Sequence, residues 1–322
     1  MSSKVSVISV GGAVQDVLIT GQVFKAQDED GVLVEEFKLG EKYEVDEVTF
    51  STGGGATNGA VTFARQGLRS VFVGKIGHDP AGDAVLADLK KDRVDATNVV
   101  YSKDFNTGYS TILIAPSGER VVLTYRGAST HFDSNDFNVS KLHADWMFIT
   151  SMSGNLDVIQ KFIEHAKATH MKIALIPGKG ELAQVDRLKE MAKGLSVFSA
   201  NKEEIQTLVH GESIEELAVN MSRMIGGIAV VTDGPNGVAT SDGVTACRAG
   251  MYEDVPVIDR LGAGDAFASG FVAALAKGGG MREGILLGSA NSTSVVSFVG
   301  AKTGILNEDA ELHDMEIHVW EV

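Results

Sequence analysis

Cysteine is almost absent from this chain: Cys247 is the only one in 322 residues. That excludes an internal disulfide and leaves no thiolate cluster for a metal, so Cys247 is expected to be a small apolar filler. Proline is scarce too, with five in all, and no proline-rich or serine-rich tract is long enough to act as a linker. One domain spanning residues 1–322 is therefore expected, as in many α/β chains of this length. No apolar run approaches the roughly 18 residues of a membrane span. Met1-Ser2-Ser3-Lys4 leads directly into an apolar segment, without the basic and apolar regions of a signal peptide. The expectation is a cytoplasmic protein with no membrane partner. Positive charge is also in short supply: 28 Lys and Arg against 43 Asp and Glu give a net charge of −15. A nucleic-acid duplex needs a basic stripe, so nucleic acid is excluded as a partner. The same charge repels a nucleoside triphosphate at long range, and a divalent cation with local amide donors would have to offset it.

Apolar strand patterns at 5–10, 70–73, 146–149, 172–176 and 196–199 alternate with helical patterns at 56–66, 81–91, 156–169, 182–192 and 202–209. Such alternation indicates a mostly parallel sheet covered on both faces, that is, a three-layer α/β/α sandwich. Two stretches, about 14–51 and 106–127, are instead rich in β-branched residues with charges interleaved. They are expected to form a small antiparallel sheet standing off the main body, with a hairpin turn at Pro116-Ser117-Gly118-Glu119. Such a sheet is placed to act as a lid, or as a dimer surface through its exposed edge. A second hairpin is expected at 237–248 around Asp242-Gly243, and residues 316–322 alternate like a strand.

The densest chemical signal is Asp259-Arg260-Leu261-Gly262-Ala263-Gly264-Asp265, followed by the apolar helical run 266–276. Three small residues at a helix start present unpaired N–H groups and the positive end of the dipole to an anion. A carboxylate beside that anion repels it, so Asp265 makes chemical sense as the base that takes a proton from a hydroxyl attacking a phosphoryl group. The competing reading is a Gly-rich helix entry with Asp265 as a cap. Gly53-Gly54-Gly55-Ala56-Thr57-Asn58 also enters a helix and would let a polar small molecule approach the backbone; a flexible turn has the same composition. Asp16 follows the first strand, where a carboxylate can accept bonds from substrate hydroxyls or from turn amides. Asn201 and Glu204 have the spacing to organise Mg²⁺ beside phosphates, and equally the spacing of a capping box. Thr232-Asp233-Gly234-Pro235-Asn236-Gly237 leaves room for a base or for phosphates, as a tight turn also would. Gly11-Gly12 lacks the Gly-x-Gly-x-x-Gly spacing of a dinucleotide site, which counts against a nicotinamide oxidoreductase.

Taken in order, these segments resemble the ribokinase-like (PfkB) family of carbohydrate kinases over essentially the whole chain. Gly54-Gly55-Ala56-Thr57-Asn58-Gly59-Ala60, with Gly67 and Gly77, is similar to the family's N-terminal signature, and 259–270 to its C-terminal one. The resemblance implies the ribokinase-like fold with a β-sheet lid and an ATP-dependent transfer of the γ-phosphate to a sugar hydroxyl. It implies Asp265 as catalytic base and the amides of Gly262, Ala263 and Gly264 as anion hole. Asp16, Gly54, Gly55 and Asn58 would contact the sugar, and Thr232, Gly234, Gly237 and Asn291 the nucleotide. Asn201 and Glu204 would serve Mg²⁺ and phosphate, with Glu204 acting through water. Some members also bind a monovalent cation such as K⁺ through carbonyls near the positions of Asp259 and Leu261. A homodimer joined through the lids is implied by analogy.

Gly55 stands where ribokinase itself carries a lysine, and Arg260 where many members have Thr or Ser. With Arg126 on the lid, these departures are similar to 2-keto-3-deoxygluconate kinases, in which an arginine meets a substrate carboxylate. The same Arg-Gly-Ala stretch occurs in neutral-sugar kinases, so both acceptors stay open. A nucleoside kinase of the same fold would want an aromatic clamp, for which Phe24, Phe37 and Tyr109 are candidates. A sugar-sensing protein that keeps the fold without the chemistry is the alternative from another class.

Overall fold

The computed structural model describes residues 4–252 and 255–322. Met1 to Ser3, read above as leading straight into the first strand, lie outside the described residues.

The main sheet follows from short runs with apolar residues at successive positions, which face both sides once paired. Six of its strands are parallel: β1 (Ser6–Val10), β6 (Arg69–Val73), β11 (Trp146–Thr150), β12 (Lys172–Ile176), β13 (Val197–Asn201) and β14 (Ile228–Thr232). Three antiparallel strands extend it: β15 (Val238–Ser241), β16 (Thr245–Ala249) and β17 (Ile317–Glu321). The order is β17-β16-β15-β14-β13-β12-β11-β1-β6. Alternate side chains divide between two cores. Ile8, Met147, Ile149, Leu175, Phe198 and Val231 pack against α3 (Leu156–Ala168), α5 (Val185–Ala192) and α7 (Ile214–Ile225). Val7, Phe148, Ala174, Val197 and Val230 face α8 (Ala263–Ala276), α9 (Met281–Val296) and Phe63 of α1 (Gly55–Arg65). Phe148, Phe162, Phe198 and Phe271 are fully buried, and each contributes on the order of 2–3 kcal/mol of apolar burial. This is the expected three-layer α/β/α arrangement, and Cys247 sits in the second core as an apolar filler.

The helix α2 (Pro80–Lys91) is capped by Asp79 and closes a third apolar cluster through Val85 and Leu89. The helix expected over 182–192 is interrupted: α4 (Lys179–Leu182) ends and α5 starts after Gln184. The helix expected from 202 is shorter than its pattern, since α6 (Lys202–Gln206) stops before Leu208. No described helix is long and apolar enough to cross a membrane.

The two β-rich stretches form a separate four-stranded sheet in the order β10-β9-β2-β5. Its strands are β2 (Val14–Thr20), β5 (Glu47–Gly53), β9 (Gly108–Ile114) and β10 (Arg120–Tyr125), and the β9–β10 turn falls at Pro116 to Glu119 as expected. It is not wholly antiparallel: β2 and β9 pair in parallel, Val14 opposite Gly108 through Thr20 opposite Ile114. The reason is topological, since both strands leave the main body at the same end. Two short ribbons complete the set, β3 (Gln27–Glu29) with β4 (Val32–Val34), and β7 (Lys75–Ile76) with β8 (Val100–Tyr101).

Candidate active site

The first turn of α8 is the centre of the site. Gly262 precedes it in the left-handed region, at φ 79°, and a Cβ there would lie 2.6 Å from that of Ala301. Only glycine meets both conditions, so the amides that follow are left uncovered by side chain. Asp265 in this turn accepts a hydrogen bond from Asn58 Nδ2 at 2.9 Å. Burial pushes its carboxyl pKa up, and the Asn58 bond pulls the other way. The other amide atom of Asn58, Oδ1, is buried with no hydrogen-bond partner among the described residues, and Asn58 itself lines neither of the two cavities at this turn.

Asn58 is placed by α1, whose entry requires Gly54 at φ 96°; a side chain there would strike the Gly12 carbonyl at 2.4 Å. A polar seam fixes α1 against α8: Ser269 donates to Thr62 at 2.9 Å and to the Asp265 carbonyl at 2.6 Å.

Two cavities meet this turn at neighbouring residues. The first, about 320 Å³, is lined by Gly54, Gly55, Ser110, Arg126, Ser151 and Asp265, among others. The second, about 260 Å³, is lined by Thr232, Gly234, Gly237, Arg260, Ala263 and Gly264, with Phe267 and Val296 as apolar wall. Asp265 thus faces one cavity while the two residues before it face the other. The exposed Arg126 lines the first cavity with no carboxylate partner among the described residues, whereas Arg260 lines the second.

Several expected site residues stand elsewhere. Asn291 does not line the second cavity; it is buried, donates to the Ala266 carbonyl at 2.8 Å and accepts from Leu306 N–H, so it fastens α8 to α9. The face of α9 that lines the cavity carries Ser289, Ser292 and Thr293 instead. Asn201 and Glu204 form a reciprocal capping box, Glu204 N–H to Asn201 Oδ1 at 2.9 Å and Asn201 N–H to Glu204 Oε2 at 3.0 Å. That leaves Glu204 Oε1 and Asn201 Nδ2 outside the pair, and neither residue lines either cavity. Asp16 is buried in β2 and is not among the side chains lining the first cavity; burial raises its pKa against the pull of Ser110 and Lys302. The named clamp candidates are not brought to the site: Phe24 packs on Phe37 at 6.0 Å and Phe37 on Tyr43 at 5.3 Å, and neither Phe24, Phe37 nor Tyr109 lines the first cavity, whose wall includes Tyr125 instead.

Other residues carry the site without a local signal. Glu181 is fully buried and accepts four bonds, from Ser151 Oγ, Met152 N–H, Gly154 N–H and Gly178 N–H at 2.7–2.9 Å. It holds together two loops that wall the first cavity. Lys302 is also buried; it donates to Thr52 at 2.7 Å and pairs with Asp88 at 3.4 Å, and its pKa falls to about 8 because burial outweighs those partners.

The sequence profile of the pfkB family carbohydrate kinases matches residues 29–308. The chain belongs to the PfkB family. Among relatives of this PfkB protein, the ribokinase of Haemophilus influenzae is 25% identical over 287 residues, covering 87% of this chain and 92% of that one. In structure, the fold is similar to the nucleoside kinase of Methanocaldococcus jannaschii (TM-score 0.76, 21% identity, 96% and 97% coverage). It is also similar to a ribokinase of Cryptococcus neoformans in complex with ADP (TM-score 0.70, 20% identity, 95% and 98% coverage). Members of this family are phosphotransferases that act on sugars, and the α/β sandwich with its separate small sheet is the ribokinase-like fold.

Proposed function

We propose that this PfkB protein is an ATP-dependent sugar kinase in which Asp265 is the general base. The observation that carries the reading is the partition at α8: Asp265 opens on one cavity and Ala263 and Gly264 on the other. A sugar in the first cavity would give a hydroxyl proton to Asp265, and its oxygen would attack the γ-phosphorus of a nucleotide in the second. The bond from that phosphorus to the bridging oxygen breaks, and ADP leaves. A base whose pKa is raised by burial suits this role. The amides of Gly262 to Gly264 would receive the charge developing on the transferred group. Glu204, whose Oε1 lies outside the capping box, would meet through a water a magnesium ion bound to the phosphates, which would supply further positive charge. The small sheet would close over the sugar and exclude water. Its exposed Val48, Phe50 and Leu123 supply an apolar surface for a homodimer through the lids.

A second reading is favoured by Arg126, which lines the first cavity with no carboxylate partner among the described residues. It suits a sugar acid, of the 2-keto-3-deoxygluconate type, whose carboxylate would pair with the guanidinium. A coupled ADP-release assay over neutral sugars, sugar acids and nucleosides separates these. Turnover with a neutral sugar supports the first reading and with a sugar acid the second. Turnover with nucleosides alone refutes both, and none with any acceptor favours a non-catalytic sensor.

A further inference from the structure

Asp259 is buried in the loop that leads into α8, with every carboxylate oxygen engaged. Oδ1 accepts from Leu261 N–H at 2.9 Å and from Arg120 Nη1 at 2.6 Å; Oδ2 accepts from Gly300 N–H at 3.1 Å. Arg120 comes from the small sheet, where it opens β10, and lies 139 positions away in sequence. Its ion pair therefore joins the lid to the loop that carries the proposed anion hole. The next anchor of that loop is Ala301, whose backbone and Cβ close on Gly262, and Lys302 pins the same stretch to Thr52 of β5.

The family resemblance places a monovalent cation near Asp259 and Leu261, and these residues do not fit one. A cation held by neutral carbonyls needs an uncompensated negative charge beside it, and the charge of Asp259 is already met by a guanidinium. A second cation there would face repulsion from Arg120, and of the carboxylate's lone pairs only one on Oδ2 is left to meet it.

We propose that Arg120 is the chain's own cation at Asp259, a tethered guanidinium that positions the anion-hole loop and makes the kinase indifferent to monovalent cations. The positioning acts through the Asp259 carboxylate, which holds the backbone at Leu261 one residue before Gly262. Because Arg120 sits on the lid, the loop takes this arrangement when the lid lies over the cleft. The catalytic half of this inference rests on the sugar-kinase reading; the occupancy of Asp259 does not.

The experiment compares wild type, Arg120→Gln and Arg120→Lys in potassium, sodium and choline chloride at equal ionic strength. Thermal unfolding and coupled ADP release are both followed. Wild type is expected to unfold at one temperature and turn over at one rate in all three salts. Arg120→Gln should lose about tenfold or more in kcat, the effect of removing a hydrogen bond to a charged group, with a smaller change in nucleotide KM. It should also acquire a potassium response in both readouts that choline does not reproduce, while Arg120→Lys keeps most of the rate. Stimulation of wild type by potassium overturns the proposal. So does an Arg120→Gln variant that behaves as wild type in every salt, or one that responds to no cation. If no acceptor supports turnover in wild type, the kinase reading fails, and the salt dependence of unfolding still tests the occupancy of Asp259.

Discussion

Replacing Asn58 by leucine removes the one side-chain hydrogen bond that Asp265 accepts among the described residues, while keeping the volume of the residue. The carboxyl pKa of Asp265 is raised by burial and lowered by Asn58, so the substitution raises it further. As a base Asp265 works only when ionised, and kcat/KM should therefore fall on acidification, starting above the ordinary carboxylate range. A hydrogen bond to a charged group is worth about 1.5–3 kcal/mol, so the ionised fraction on the acid limb drops roughly 10- to 150-fold in Asn58→Leu. That deficit shrinks as pH rises and ends where the base is fully ionised. Any remaining loss is independent of pH and measures what Asn58 contributes apart from its bond to Asp265. Stability runs with the opposite sign: the native state holds the Asp265 proton to a higher pH than the unfolded chain, so this group's contribution falls as pH rises through that window. Rate profiles of both proteins by ADP release, with unfolding followed in parallel, are the assay. A deficit of the same size at every pH would refute the coupling of Asn58 to the base.

Two further substitutions test the walls of the first cavity. A Cβ at Gly55 would lie 3.0 Å from Asp265 Oδ1 and 3.1 Å from Thr150 Cβ, so Gly55→Val should lower acceptor kcat/KM at least about tenfold through overpacking. Nucleotide affinity, measured by titration, should stay unchanged. Glu181→Gln replaces a fourfold acceptor by a group that turns an amide on some of its donors, and should destabilise the fold by about 3 kcal/mol in chemical denaturation. Acceptor KM should rise with it, since the loops at 151–154 and 177–178 line the cavity.

What was legible in the sequence is local. The strands and helices of the sandwich come from apolar runs whose period survives packing, and the 259–265 turn is visible because glycine and a carboxylate at a helix start have few other uses. The β9–β10 turn is equally local, as Pro116 and Gly118 suit a reversal. The parallel pairing of β2 with β9 is not, because it depends on where two strands 94 positions apart leave the main body. Nor does spacing alone say which way a helical side chain turns: Asn291 shares α9 with the cavity-lining Ser292 and Thr293 but points inward to α8. Asn201 and Glu204 have one spacing with two uses; the hydrogen bonds show the cap, and the spacing does not tell that use from the other. Glu181, Lys302 and Arg120 owe their roles to partners brought from 27 to 250 positions away. Glu181 and Lys302 are buried charges and Arg120 an exposed one, none has a motif, and only the assembled fold identifies them.

The central claim is that Asp265 carries the proton from the acceptor. Asp265→Asn keeps shape and the contact to helix α1 but removes the base, and steady-state turnover on the acceptor found in the sugar panel tests it most directly. The account predicts at least about a 100-fold loss of kcat, with nucleotide binding and the unfolding temperature retained. Turnover near the wild-type rate in that variant would contradict it.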